Sequence, residues 1–104
     1  MLKEITKAED LTKCLQENSL VIIDFFAEWC GPCKLLAPQF KKASEMLDDV
    51  LFVKINIDDA SELAQDYNVL SIPTLVIVKN GAVVERNNGF VSSDFIVDWI
   101  NKHR

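Results

Sequence analysis

Two cysteines, Cys30 and Cys33, are separated only by Gly31 and Pro32 and directly follow an apolar run. The run, Leu20–Phe26, is rich in branched and aromatic side chains and predicts a buried strand. Apolar residues then recur at helical spacing, so the cysteines are expected where a helix begins. Cysteines at positions i and i+3 of a helix share a face, and their Cα atoms lie within the roughly 4.4–6.8 Å that a disulfide requires. This spacing predicts a pair that closes and opens reversibly.

The two cysteines are expected to have different roles. At the helix start, free backbone N–H groups and the helix dipole favour a thiolate, which is the attacking species, so Cys30 is the predicted nucleophile. Cys33, one turn inside, is expected to be shielded and to resolve a mixed disulfide. The alternative is a chance pair or half of a metal site. The preceding strand and Trp29 favour the redox pair, and one Cys-x-x-Cys with the distant His103 is too little for structural zinc.

Asp24 lies inside the apolar strand, six positions before Cys30. Desolvation there should raise the pKa of its carboxyl group, which is how proteins make a proton acceptor that works near neutrality. We hypothesise that Asp24, directly or through water, takes the proton of Cys33. A carboxylate bonded to backbone or facing water is an equally good interpretation of the sequence. Lys54, on the polar face of the next strand, either tunes this carboxyl group or is simply solvated.

The bulk composition indicates one globular domain, residues 1–104, with 49% apolar and 26% charged residues. A net charge of −5 argues against nucleic acid as a partner, since phosphate binding needs clustered Lys and Arg. No apolar run approaches the roughly 18–20 residues of a membrane helix. The first ten residues lack the apolar core of a signal peptide, so we expect a cytoplasmic protein if the chain begins at its own start.

The predicted element order is strand, helix, strand, helix, strand, helix, strand, strand, helix, which indicates an α/β domain with a mixed sheet and helices on both faces. Asn80-Gly81 is a strong hairpin signal and should pair Thr74–Lys79 with Ala82–Arg86, before a loop at 87–89. Lys54 and Asn56 should share one face of the third strand, 51–57.

Helix ends and inner faces are also predicted. Thr6-x-x-Glu9 is a capping-box pattern, so the first helix should begin near Lys7, and Ser92 or Ser93 should cap the last. Residues 58–61 should cap a short helix, and Pro38 should kink the helix that ends near 49. Cys14 falls on an inner face, where a packed, inert thiol is favoured over a regulatory disulfide. The other residues predicted to face inward on the second and last helices are Leu35, Leu36, Phe40, Ala43, Met46, Leu47, Phe95, Ile96, Trp99 and Ile100.

The segment Trp29-Cys30-Gly31-Pro32-Cys33-Lys34 resembles the active-site motif of the thioredoxin family, and the resemblance covers essentially the whole chain. It implies a thioredoxin fold, with a central mixed five-stranded sheet flanked by four helices. The other matching positions are Asp24-Phe25, Ala27-Glu28, Pro38, Lys54-x-Asn56-x-Asp58, Ile72-Pro73-Thr74-Leu75, Lys79-Asn80-Gly81 and Gly89.

The resemblance also implies an activity: a monomeric protein-disulfide reductase, with Cys30 as nucleophile, Cys33 as resolving thiol, and Asp24 as buried proton acceptor near Lys54. Electrons would come from NADPH through thioredoxin reductase, so the chain needs no bound cofactor or metal. A cis bond before Pro73 is implied, although X-Pro bonds in general favour trans. The residues implied to contact disulfide-containing client proteins are Trp29, Gly31, Pro32, Ile72, Pro73, Gly89 and Phe90.

Some positions depart from the family pattern. Phe26 stands where Trp is common, while Asn88 and Phe90 flank Gly89 beside the implied groove, at positions that bear on partner preference. Cys14 and Trp99 are outside the shared pattern. Two alternatives remain: an oxidase or isomerase domain, disfavoured by Gly-Pro between the cysteines and by the missing secretion signal, and a binding scaffold with incidental redox activity.

Overall fold

Alternating strands and helices build the chain, in the order predicted. The computed structural model of the protein describes all residues, 1–104. No helix is both long enough and apolar enough to cross a membrane. The elements in chain order are β1 (Leu2–Glu4), α1 (Ala8–Glu17), β2 (Leu20–Phe26), α2 (Gly31–Met46), β3 (Leu51–Asn56), α3 (Ser61–Asp66), β4 (Thr74–Lys79), β5 (Ala82–Asn88) and α4 (Ser93–Asn101).

The five strands form one sheet in the order β1-β3-β2-β4-β5. β1 and β2 are both parallel to β3, whereas β4 is antiparallel to β2 and β5 is antiparallel to β4. The sheet is therefore mixed, as expected. Every residue of β2 is buried, because this central strand has a neighbour on each side and helices over both faces.

The alternation of side chains along β2 divides the core into two layers. Val21, Ile23 and Phe25 pack with residues of α1 and α3, whereas Leu20 and Ile22 pack with residues of α2 and α4. Because side chains on a strand alternate with a period of two, Asp24 and Phe26 share the face of Leu20 and Ile22. Asp24 therefore points to the side of the sheet that carries α2, the helix that begins beside the cysteine pair.

The hairpin between β4 and β5 forms as the Asn-Gly signal predicts. Asn80 and Gly81 have positive φ values of 50° and 83°, as a tight two-residue connection requires. The predicted end of β5 is wrong, since pairing continues past Arg86 to Asn88, opposite Thr74. Asn87 and Asn88, which were predicted as loop, therefore belong to β5, and Gly89 follows the strand.

The capping box predicted for α1 is wrong. α1 begins at Ala8 with Lys7 as its cap and no side-chain cap bond, so Thr6 lies outside the cap and Glu9 too early for a capping box. The N-cap of α3, Ala60, lies within the predicted residues 58–61 but makes no side-chain hydrogen bond. The prediction for α4 is confirmed, because the Ser92 hydroxyl accepts a hydrogen bond of 3.1 Å from the Phe95 amide.

Three residues predicted to face inward are exposed: Leu35, Met46 and Phe95. On α2 the buried residues Leu36, Phe40 and Ala43 follow an i, i+4, i+7 pattern, which leaves Leu35 off the inner stripe. The helix continues through Pro38 and ends at Met46, before the predicted boundary. Cys14 is buried and unpaired, as predicted.

Candidate active site

The cysteine pair lies at the start of α2, shortly after the end of β2. Cys30 is the N-cap of α2, followed by Gly31 and Pro32 as the first helical residues. Its sulfur accepts a hydrogen bond of 3.2 Å from the Cys33 amide. The two cysteines form a disulfide with Cα atoms 5.2 Å apart. The predicted position of Cys30 at the helix start is confirmed. The Cys33 N–H group is a fixed hydrogen-bond donor that points at the Cys30 sulfur.

Apolar side chains enclose the disulfide. Cys30 is 5% exposed and Cys33 3% exposed, and both pack in a cluster with Phe26 and Ala27, against which Ile72 also lies. Cys33 is shielded as predicted, and Cys30 is nearly as enclosed in this oxidised state. The sulfur of Cys30 is therefore bordered by an apolar rim.

The carboxyl group of Asp24 is buried, and no hydrogen bond replaces its lost contact with water. Its residue is 1% exposed, and neither carboxyl oxygen has a hydrogen-bond partner. Burial raises the pKa of Asp24 from 3.8 to about 7, while the Lys54 ammonium partly opposes that rise. The interpretation of Asp24 as a backbone-bonded or water-facing residue is wrong, and the prediction of a raised pKa is confirmed.

Lys54 is half-buried and lies directly opposite Asp24 in the pairing of β3 with β2. Its ammonium nitrogen lies 4.4 Å from the centroid of the Phe26 ring. A crevice of about 120 Å³ is lined by Lys54, Phe26 and Cys33, among other residues. Lys54 therefore lies half-buried beside the cysteine pair rather than fully solvated at the surface.

Trp29 forms one exposed wall beside the disulfide. It is 68% exposed, and its indole N–H donates a hydrogen bond of 2.9 Å to Asp58. An indole this exposed does not belong to the buried core. Asp58 was not predicted as an anchor for the indole; its place two positions after the polar strand residue Asn56 was the only available signal.

An apolar pocket of about 310 Å³ adjoins the indole. Leu70, which lines it, is 97% exposed. Val69 and Leu70 were not among the predicted site residues, although apolar residues in a loop before a proline signal a surface that is not part of the core. Its lining residues are Trp29, Ile57, Val69, Leu70, Ser71 and Ile72.

The Ile72-Pro73 bond is cis, as the family resemblance implies and contrary to the general preference for trans. The Pro73 carbonyl accepts a hydrogen bond of 2.9 Å from the Gly89 amide. Gly89 has a φ of +96°, a conformation that favours glycine. Phe90, the next residue, is half-exposed and belongs neither to the cluster on the disulfide nor to the apolar pocket.

Comparison with known proteins decides the family. The thioredoxin family model matches residues 2–102. The chain belongs to the thioredoxin family. The thioredoxin of Mycoplasma genitalium is 42% identical over 101 residues, which cover 97% of this chain and 99% of the relative. The thioredoxin of Bacillus subtilis is also 42% identical over 101 residues, covering 95% and 97%.

Solved thioredoxin structures agree with this fold. A Plasmodium falciparum thioredoxin superimposes with a TM-score of 0.90 at 35% identity, covering 98% of this chain and 99% of that one. Members of the thioredoxin family are thiol-disulfide oxidoreductases that work through a cysteine pair without a prosthetic group. With its own redox pair in place, this chain is a protein-disulfide reductase, and disulfide-containing proteins are its clients.

Proposed function

We propose that Cys30 is the nucleophile of this reductase and Cys33 its resolving thiol. The observation that carries the assignment is the Cys33 amide hydrogen bond to the Cys30 sulfur at the N-cap of α2. In the reduced protein the same donor and the helix N-terminus favour negative charge on that sulfur. The Cys30 thiolate attacks one sulfur of a client disulfide, a Cys30–client disulfide forms, and the other client sulfur leaves as a thiolate that takes a proton from water.

Asp24 serves the second step. The Cys33 thiol gives its proton to the Asp24 carboxylate, and the resulting thiolate attacks the Cys30 sulfur. The Cys30–Cys33 disulfide forms, and the second client sulfur leaves as a thiolate. One client disulfide is reduced and one protein disulfide is formed. Support comes from the burial of Asp24, which raises its pKa to about 7 and suits it to accept a proton near neutrality. Lys54 tunes this carboxyl group without touching the reacting sulfurs.

Client segments bind across the apolar rim of the pair. Trp29 and Ile72 supply apolar contact, while the backbone near Pro73 and Gly89 forms the other wall of the groove. Gly31 and Pro32 lie exposed between the cysteines and leave room for a client backbone. Phe90 contributes a further half-exposed ring at the edge of this wall.

After each cycle the disulfide has to be reduced again. We infer that the electrons come from NADPH through a flavoprotein thioredoxin reductase, and that the chain acts as a monomer in the cytoplasm. A reducing compartment keeps such a pair in the dithiol form that attacks clients. A reduction potential measured well above that of glutathione would instead indicate an oxidase or isomerase.

Reduction of insulin disulfides tests the proposed function. With NADPH and thioredoxin reductase, the wild-type protein is expected to reduce insulin catalytically, and Cys30→Ser to lose this activity entirely. Cys14→Ser is the matched control, because Cys14 is a buried thiol on α1 and lies outside the site. Activity retained in Cys30→Ser, or lost equally in Cys14→Ser, would refute the assignment.

A further inference from the structure

Lys54 occupies the middle of a row of ionisable side chains that crosses three strands. In the sheet register it is the direct partner of Glu4 on β1 and of Asp24 on β2. Directly opposed residues on neighbouring strands place their side chains on the same face, within reach of each other. Two carboxyl groups therefore flank one ammonium group.

The ammonium group pairs with neither carboxyl group. The ion pairs of the structure are Glu85–His103 and Asp49–Arg104, and the Asp24 oxygens accept no hydrogen bond. The Lys54 nitrogen lies instead 4.4 Å from the centroid of the Phe26 ring.

Position and chemistry both suit Phe26 to hold this cation. Phe26 follows Asp24 by two residues on β2, so its ring lies on the same face and nearer to the cysteines. A cation within about 6 Å of a ring centroid is attracted by the negative face of the ring. Over the ring, the half-buried lysine keeps part of its hydration, whereas contact with Asp24 would require both charges to lose water.

We propose that Phe26 is a positioning residue whose ring holds the Lys54 ammonium group out of contact with the Asp24 carboxyl group. The consequence for catalysis rests on the proposed role of Asp24 as proton acceptor. A carboxylate in contact with a lysine is a weaker base, because the opposite charge stabilises its ionised form. By keeping the two groups apart, the ring preserves a carboxyl group able to take a proton near neutral pH.

No other charged group near Lys54 and Asp24 takes the place of the Phe26 ring in holding the ammonium group away from the carboxyl group. Glu4 flanks Lys54 on the open side, while Glu28 and Lys34, from the segment after β2 and from α2, line the same crevice. On the other side of Asp24, β4 contributes the uncharged Leu75. The Phe26 ring is thus the group that the ammonium contacts.

Direct titration of Asp24 tests the proposal. The pH midpoint is read from the carboxyl carbon by NMR in the oxidised wild type and in Phe26→Leu and Phe26→Trp. We expect Phe26→Leu to lower the midpoint by about one pH unit, since the released ammonium reaches the carboxylate. Phe26→Trp should keep the wild-type midpoint, because an indole offers the cation a larger face. Phe26→Met is the second aromatic-free variant if leucine prevents folding.

The matched control repeats the titration in a Lys54→Met background. Without the lysine, Phe26→Leu is expected to leave the midpoint unchanged. An equal fall in both backgrounds would show a packing or hydration effect and overturn the proposal. With Lys54 present, an unchanged or raised midpoint in Phe26→Leu would also overturn it. So would a fall of the midpoint in Phe26→Trp as large as the fall in Phe26→Leu. Because the readout is the carboxyl carbon and not turnover, failure of Asp24 as a catalytic proton acceptor would be seen separately.

Discussion

Asp24 and Lys54 are direct partners on adjacent strands, yet neither oxygen of Asp24 accepts a hydrogen bond. Burial raises the pKa of this carboxyl group to about 7, and the attraction of Lys54 only partly opposes it. At neutral pH the group therefore exists in both protonation states. In the mechanism that we propose, this group accepts the Cys33 proton when the mixed disulfide is resolved and returns it when the pair is reduced again.

The raised pKa of Asp24 predicts a stability that falls as pH rises. The folded protein binds the proton more tightly than the unfolded chain, so the stabilisation is full below pH 3.8 and is lost as pH rises through about 7. Between pH 4.5 and 8.5 the loss should be roughly 3 kcal/mol from this group. Asp24→Asn should remove this loss, so the oxidised variant should exceed the wild type in stability at pH 8.5. Denaturant unfolding at both pH values measures the difference.

Asp24→Asn should also slow turnover, since an amide cannot accept the Cys33 proton.

In the stability measurement, comparing each protein at pH 8.5 with the same protein at pH 4.5 cancels any packing change caused by the amide. Equal pH dependence of stability in both proteins would contradict the raised pKa. Unchanged reduction kinetics in Asp24→Asn across pH 6–9 would remove Asp24 from the mechanism.

The hydrogen bond between Trp29 and Asp58 predicts a role for Asp58 in client binding. Asp58→Ala should free the indole and lower kcat/KM for a protein client about two- to fivefold, as expected of an exposed bond worth ~0.5–1 kcal/mol. Fluorescence anisotropy of Trp29, measured in a Trp99→Phe background, should fall. Asp59→Ala is the control, because Asp59 is exposed next to Asp58 and does not bond the indole. The same loss in both variants would point to general charge rather than to the indole.

Gly89 is predicted to be required because of its backbone conformation, and not because a side chain there would collide with its neighbours. An added Cβ would meet nothing within 4 Å, but φ is +96°. Gly89→Ala should therefore destabilise the protein by about 1–2 kcal/mol through backbone strain. Gly31, which is equally free of neighbours and lies in the first turn of α2, provides the comparison. Gly31→Ala should leave stability unchanged or raise it by up to about 1 kcal/mol; an equal loss at both glycines would contradict the strain argument.

The order and type of the elements could be predicted because each carries a strong local signal. The apolar run of β2, the Asn80-Gly81 turn and the Ser92 cap are all decided by neighbouring residues. The capping box of α1 was mispredicted, since the helix begins one residue after the position that the pattern gives; helix boundaries also depend on tertiary packing, which a local pattern does not contain. Exposure of Leu35 likewise depends on which helix face meets the sheet, and the apolar stripe leaves that choice ambiguous by one residue.

The site was only partly accessible to sequence reasoning. The cysteine spacing and a carboxylate inside an apolar strand indicate redox and proton chemistry without any structure. The contact of Lys54 with Phe26 and the bond from Trp29 to Asp58 join residues 28 and 29 positions apart. No local pattern contains such contacts, because they arise from the register of β2 with β3 and from the course of the loop that follows β3.

The division of labour between the two cysteines is the central claim, and trapping of mixed disulfides tests it most directly. Reduced Cys33→Ser and Cys30→Ser are each mixed with a disulfide-containing client and analysed by mass spectrometry without reducing agent. Cys33→Ser should accumulate a stable adduct through Cys30, because the thiol that resolves it is missing. Cys30→Ser should accumulate little or none. A stable adduct through Cys33 in Cys30→Ser, with none through Cys30 in Cys33→Ser, would contradict the assignment.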